Sequence, residues 1–251
     1  MKLFGLSILL LQITLSLAAA PIDGLLKDAR DAETRQDSNA ALIILEKIDQ
    51  LQPNDPVTLQ RIARQYSDLA PGQSSSDEKK RFAALALEYS ERAVALAPRN
   101  AVNVLSLAIS YGRIATYSDA RTKVKYSTLI RTEAERARDL DPNYSWTYYV
   151  LGRWHCEVAT LGFASRVFVK LFYGGLPGAS VAEGVRLLKK ATELEPGELN
   201  HFLELGFAFV AAGDDAAARQ AWNHGLSMLS RGPHDDAAME RARSAMARLD
   251  R

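Results

Sequence analysis

The stretch 199–232 constrains the fold of this chain more than any other, because small and large residues recur in it at helical spacing. Phe202, Leu205, Gly206 and Phe209 mark one helix, and Ala218, Trp222 and Gly225 mark a second. Ala212-Gly213-Asp214 provides the turn between them. Gly206, Ala218 and Gly225 let two helix backbones approach closely, while Phe202, Leu205, Phe209 and Trp222 fill the surrounding space. Pro196 stands before the first helix and Pro233 after the second. The unit is a helical hairpin with one buried seam.

The same hairpin can be read along the rest of the chain. Pro53, Pro98, Pro142 and Pro196 end helical segments, at spacings of 45, 44 and 54 residues. Five residues before them stand Ile48, Ala93, Ala137 and Ala191. After them come Ile62-Ala63, Leu107-Ala108, Leu151-Gly152 and Leu205-Gly206. Both halves keep phase, so the extra residues belong between the paired helices, at 68–77, 116–122 and 162–180, as loops or extended helix ends. The reading is all-α: an α-solenoid of about five helical hairpins at 22–55, 56–100, 101–144, 145–198 and 199–232. A capping helix at 235–249, with Met239, Ala242, Met246 and Leu249 on one face, covers the open end. This is the tetratricopeptide pattern.

Residues 1–20 have a different character. Lys2 precedes an apolar run from Leu3 to Leu17, which ends in Ala18-Ala19-Ala20. That arrangement predicts a secretory signal peptide, cut after Ala18 or Ala20, and hence a periplasmic or secreted protein. An uncleaved N-terminal membrane anchor is the alternative, although the run is short for a span of roughly 20 residues. A formal charge of +1 offers no net field for nucleic acid.

The residues hold no recognisable reaction centre. His155, His201, His224 and His234 lack the spacing of a helical metal pair. His155-Cys156-Glu157 lacks the second cysteine pair of a zinc deaminase. Gly174-Gly175-Leu176-Pro177-Gly178 lacks the lysine of a phosphate loop. Cys156, the single cysteine, reads as a small buried hydrophobe. The expectation is a non-enzymatic protein without metal or cofactor.

In a stack of helical hairpins the first helix of each pair lines the concave side. Its outward positions predict a groove of Gln60, Arg64, Leu105, Ile109, Arg113, Trp146, Tyr149, Arg153, Leu203, Phe207 and Val210. Apolar anchors with arginines at intervals suit a protein or peptide segment with a charged end. A phospholipid, its chains on the aromatics and its head group on Arg113 or Arg153, is the alternative ligand. Residues 163–173 place Phe163, Val167 and Leu171 on one helical face, with Arg166 and Lys170 on another. They read as an extended helix end folded over the stack, or else as a peripheral membrane contact.

The run Tyr148-Tyr149-Val150-Leu151-Gly152-Arg153-Trp154-His155-Cys156-Glu157-Val158-Ala159, followed by Leu171-Phe172-Tyr173-Gly174-Gly175-Leu176-Pro177 and later Leu194-Glu195-Pro196, resembles the regulator of microtubule dynamics family. The likeness covers residues 80–230. It implies a tetratricopeptide-like solenoid that binds or tethers, without enzymatic activity. It also implies that the repeat domain can hold phospholipid, as in members that tether membranes.

Overall fold

The computed structural model describes residues 22–162, 169–171 and 175–249. The candidate signal peptide and most of the candidate membrane-contact segment lie outside these residues. Helix α1 covers 22–34. It is followed by α2 (Ser38–Leu51), α3 (Pro56–Leu69), α4 (Ser76–Leu96), α5 (Ala101–Thr116) and α6 (Ala120–Leu140). Then come α7 (Ser145–Ala159), α8 (Val181–Leu194), α9 (Leu199–Ala212), α10 (Asp215–Leu226) and α11 (Pro233–Leu249). No strand occurs among the described residues, and none of their helices is long and apolar enough to cross a membrane.

Helix starts are written in short polar side chains. Asp37, Asp55, Ser75, Asn100, Asp119, Ser180 and Asp214 each accept a hydrogen bond from a backbone N–H in the first turn that follows. Each satisfies a donor that the helix itself cannot. Pro56 sits at the start of α3, where its fixed φ suits the helix and its missing N–H costs nothing. The extra residues of the second and third hairpins lengthen their second helices. α4 and α6 run 21 residues each, against 14 for α2.

The helices form a solenoid of paired rods. Partners α3–α4, α5–α6, α7–α8 and α9–α10 pack within hairpins, and α2–α3, α4–α5, α6–α7 and α8–α9 pack between them. Glycines set the closest approaches. A Cβ on Gly206 would collide with the Trp222 indole, whose Nε1 donates to the Leu203 carbonyl oxygen at 2.9 Å. A Cβ on Gly152 would lie 2.6 Å from Leu188 Cγ and 3.0 Å from the Gly184 carbonyl oxygen. The buried row Ala41, Leu45, Ile48 and Ile62 ties α2 to α3, and Ala29 and Ala32 of α1 join it. Arg61 on α3 and Glu33 on α1 add a largely buried ion pair at 2.8 Å, with Gln65 donating to the same carboxylate. At the far end Met239 and Ala242 of α11 close over Leu199, Leu203 and Trp222.

Candidate functional site

The first helices of successive hairpins also touch one another, α3 with α5, α5 with α7 and α7 with α9. They form a continuous wall, and the candidate groove residues divide along it. Leu105 and Leu203 are each 1% exposed and lie in the cores beneath the wall, so they are corrected from surface to core. The reason is geometric: a first helix packs against its own partner and against the second helix of the preceding hairpin, which leaves only a narrow free strip. Ile109 and Val210 occupy that strip at 40% and 36% exposure. Gln60 and Arg113 are half-buried and Arg64 is exposed.

The structure gathers the others into two groups. In the first, Trp146 meets Tyr149 edge-on at 5.0 Å, and Arg153 lies over the Tyr149 ring at 5.9 Å. Arg153 pairs with Glu157 at 2.8 Å and with Glu204 of α9 at 3.5 Å. Arg241 of α11 completes the group, 2.6 Å from Glu204 and 4.2 Å over the Phe207 ring. Burial works against charge on Arg153, but Tyr149, Glu204 and Glu157 outweigh it and hold the guanidinium well above its usual range. Burial likewise pushes the Tyr149 phenol up. Arg153 therefore stands charged in a protein-lined setting while 38% of its side chain meets solvent.

The second group is polar. Asp68, at the end of α3, lies 3.8 Å from Arg64 and feels Arg113 and His234. Burial raises its carboxyl above the ordinary value, and Arg64, His234 and Arg113 oppose that rise. Arg113 donates to Ser67 Oγ at 3.4 Å. Asp68 also keeps 30% of its side chain in solvent. Side chains enclosed by protein yet still wetted are what the wall of a hollow presents.

Sequence reasoning missed Glu204, Asp68, Arg241 and His201. Glu204 had a signal, being the one acid inside the apolar run of α9. Arg241 reads as a solvated helix residue and finds Glu204 only through the packing of α11. His201 is fully buried, meets Trp146 at 4.8 Å and Tyr149 at 5.5 Å, and makes no hydrogen bond among the described residues. Cys156 is half-buried beside Gly184, and burial pushes its thiol up to about 11, which leaves it protonated and a poor nucleophile. Among the described residues no group of three His, Cys, Asp or Glu side chains is placed to hold a metal ion.

Paired helices, a wall of first helices and a capping helix define a tetratricopeptide-type solenoid. The chain belongs to the regulator of microtubule dynamics family: the family described as regulator of microtubule dynamics protein 1-3 matches residues 23–250. It is 33% identical to regulator of microtubule dynamics protein 3 of Xenopus laevis over 55% of this chain and 30% of that protein. It is 27% identical to regulator of microtubule dynamics protein 2 of Homo sapiens over 76% of this chain and 47% of that protein. The chain thus spans about a third to a half of the length of these curated relatives. Among solved structures, a thermophilic TPR protein of Thermus thermophilus superposes with a TM-score of 0.69 at 18% identity, covering 90% of this chain and 99% of that one. This likeness shows the fold.

The relatives overturn the expected periplasmic or secreted location. They are animal proteins, which have no periplasm, and they are named for regulating microtubules, which lie inside the cell. The apolar character of residues 1–20 suggested export because one hydrophobic N-terminal run looks alike in several targeting contexts.

Proposed function

We propose that the protein is a non-catalytic scaffold that holds a segment of a partner protein along the wall of α3, α5, α7 and α9. The observation that carries this reading is the Arg153 group: a charged, partly wetted guanidinium over the Tyr149 ring, which Trp146 meets edge-on, with Arg241 over Phe207 sharing its partner Glu204. Aromatic faces supply contact area at low entropic cost, and arginine receives a carboxylate in a fixed geometry. The matching ligand is a peptide with an acidic side chain or chain end next to apolar anchors. Arg64 and Arg113 offer a second cationic station near Asp68. The phospholipid alternative keeps Trp146, Tyr149 and Phe207 for its chains, without Leu203, which lies in the core. The name shared by the relatives makes microtubules one source of such acidic segments.

The test is selection of short random peptides against the full chain. Enriched peptides are expected to combine acidic with aromatic or aliphatic residues. They are expected to lose at least about tenfold in affinity on Arg153→Gln, equivalent to roughly 1.4 kcal/mol, while the melting temperature stays near that of the parent because Arg241 still pairs with Glu204. Peptides that bind Arg153→Gln as well as the parent would sink the reading.

A further inference from the structure

The wall carries two acids where helix chemistry disfavours them. The last turn of a helix bears partial negative charge from its open carbonyl groups, so a carboxylate there is misplaced. Asp68 is the second-last residue of α3, and Glu157 is the third-last of α7. Each follows an arginine of the wall by four residues and pairs with it, Asp68 with Arg64 at 3.8 Å and Glu157 with Arg153 at 2.8 Å. The two pairs stand the same 89 positions apart, at matched places in the second and fourth hairpins.

Exposure separates the two acids that Arg153 holds. Glu204 keeps only 11% of its side chain in solvent and also binds Arg241 at 2.6 Å, so it is fixed from two sides. Glu157 keeps 65% in solvent, and Arg153 is its one ion-pair partner among the described residues. An ion pair this exposed is weak. Its carboxylate has the same chemistry as the acid expected of a partner segment.

We propose that Glu157 is a built-in stand-in for the partner's carboxylate: it occupies Arg153 while the wall is empty and gives way when the partner's acid arrives. The proposal rests on the reading of the wall as a peptide site. An incoming acid has to displace Glu157, so charge alone gains little, and contact with Trp146 and Tyr149 supplies the remainder. Glu157 thereby lowers the affinity of the site and makes it depend on apolar anchors. Asp68 holds the matching place at Arg64.

The test uses the full chain and two probes: the most enriched acidic peptide from selection against that chain, and its counterpart with every acid replaced by its amide. Glu157→Gln is expected to bind the acidic peptide about twofold more tightly than the parent, the worth of one exposed pair four residues apart on a helix. The amide counterpart should bind both proteins alike. In an Arg153→Gln background the gain from Glu157→Gln should vanish, because no guanidinium is left to compete for. Glu193→Gln controls for charge. Glu193 is equally exposed at 65% and also lies in a last turn, but it pairs with Lys190 on the second helix α8. Its loss should leave affinity at the parent value. The melting temperature of Glu157→Gln should stay near the parent's, since the weak pair and the misplaced charge are lost together. Unchanged or weaker binding by Glu157→Gln overturns the proposal. So does a gain that survives Arg153→Gln, or an equal gain in Glu193→Gln. If no acidic peptide depends on Arg153, the peptide reading falls and the stand-in falls with it. A peptide that depends on Arg153 but ignores Glu157→Gln removes the stand-in alone.

Discussion

His201 shows how one side chain can be out of keeping with its surroundings. It is buried between Trp146 and Tyr149, and its Nε2 stands 3.5 Å from Glu195 Oε2 without a hydrogen bond. Burial lowers its pKa, and Glu198 and Glu195 only partly counter that. The unfolded chain therefore takes up the proton first as pH falls. The contribution of this group to stability is full above the ordinary histidine value of about 6.5 and is lost as pH drops from there toward the lower folded value. His201→Phe should flatten that loss. The drop in melting temperature between about pH 7.5 and about pH 5.5, which brackets the ordinary histidine value, should shrink in the variant. An equal drop in both proteins would exclude His201 as its source. At the same scale the sequence was readable where one residue decides one local event: helices end at Leu51, Leu96, Leu140 and Leu194, just ahead of Pro53, Pro98, Pro142 and Pro196. It was not readable at Glu204, whose partners Arg153 and Arg241 arrive on two other helices.

At the scale of the element, the small residues decide how close two rods come. Gly206 faces the Trp222 indole, which is itself fixed by its bond to the Leu203 carbonyl. A methyl group there must push the indole or the helix. Gly206→Ala should cost about 1–3 kcal/mol, the usual range for overpacking a tight core, and chemical denaturation of the variant would show it as a lower midpoint with an unchanged slope. Helix α11 has a different task. It covers Leu199, Leu203 and Trp222 with Met239 and Ala242. A chain ending at Gly232 should bind a hydrophobic dye that the full chain ignores, because the last hairpin then presents a core face to water. These rods were legible because a 3.6-residue period survives in each of them. Leu105 and Leu203 were misplaced because the period gives the apolar side of a helix but not how much of the remainder its neighbours cover.

For the whole molecule, the repeat pattern in the sequence yielded the all-α solenoid, since each hairpin is a local unit that contacts its neighbours in order. The path of the stack was not legible. Small tilts between hairpins accumulate, and only their total brings Gln36, in the turn between α1 and α2, to the backbone N–H groups of His234 and Asp235 at the start of α11. Location was misread for a related reason: a short apolar run carries little information about where a chain resides.

The meeting of Gln36 with α11 also bears on how such a chain can change over time. Open arrays of repeats lengthen or shorten by duplication and deletion, because any unit can follow any other. Here an added or missing unit would displace His234 from the glutamine that receives it. The fit between the two ends therefore ties the number of units to the path of the stack.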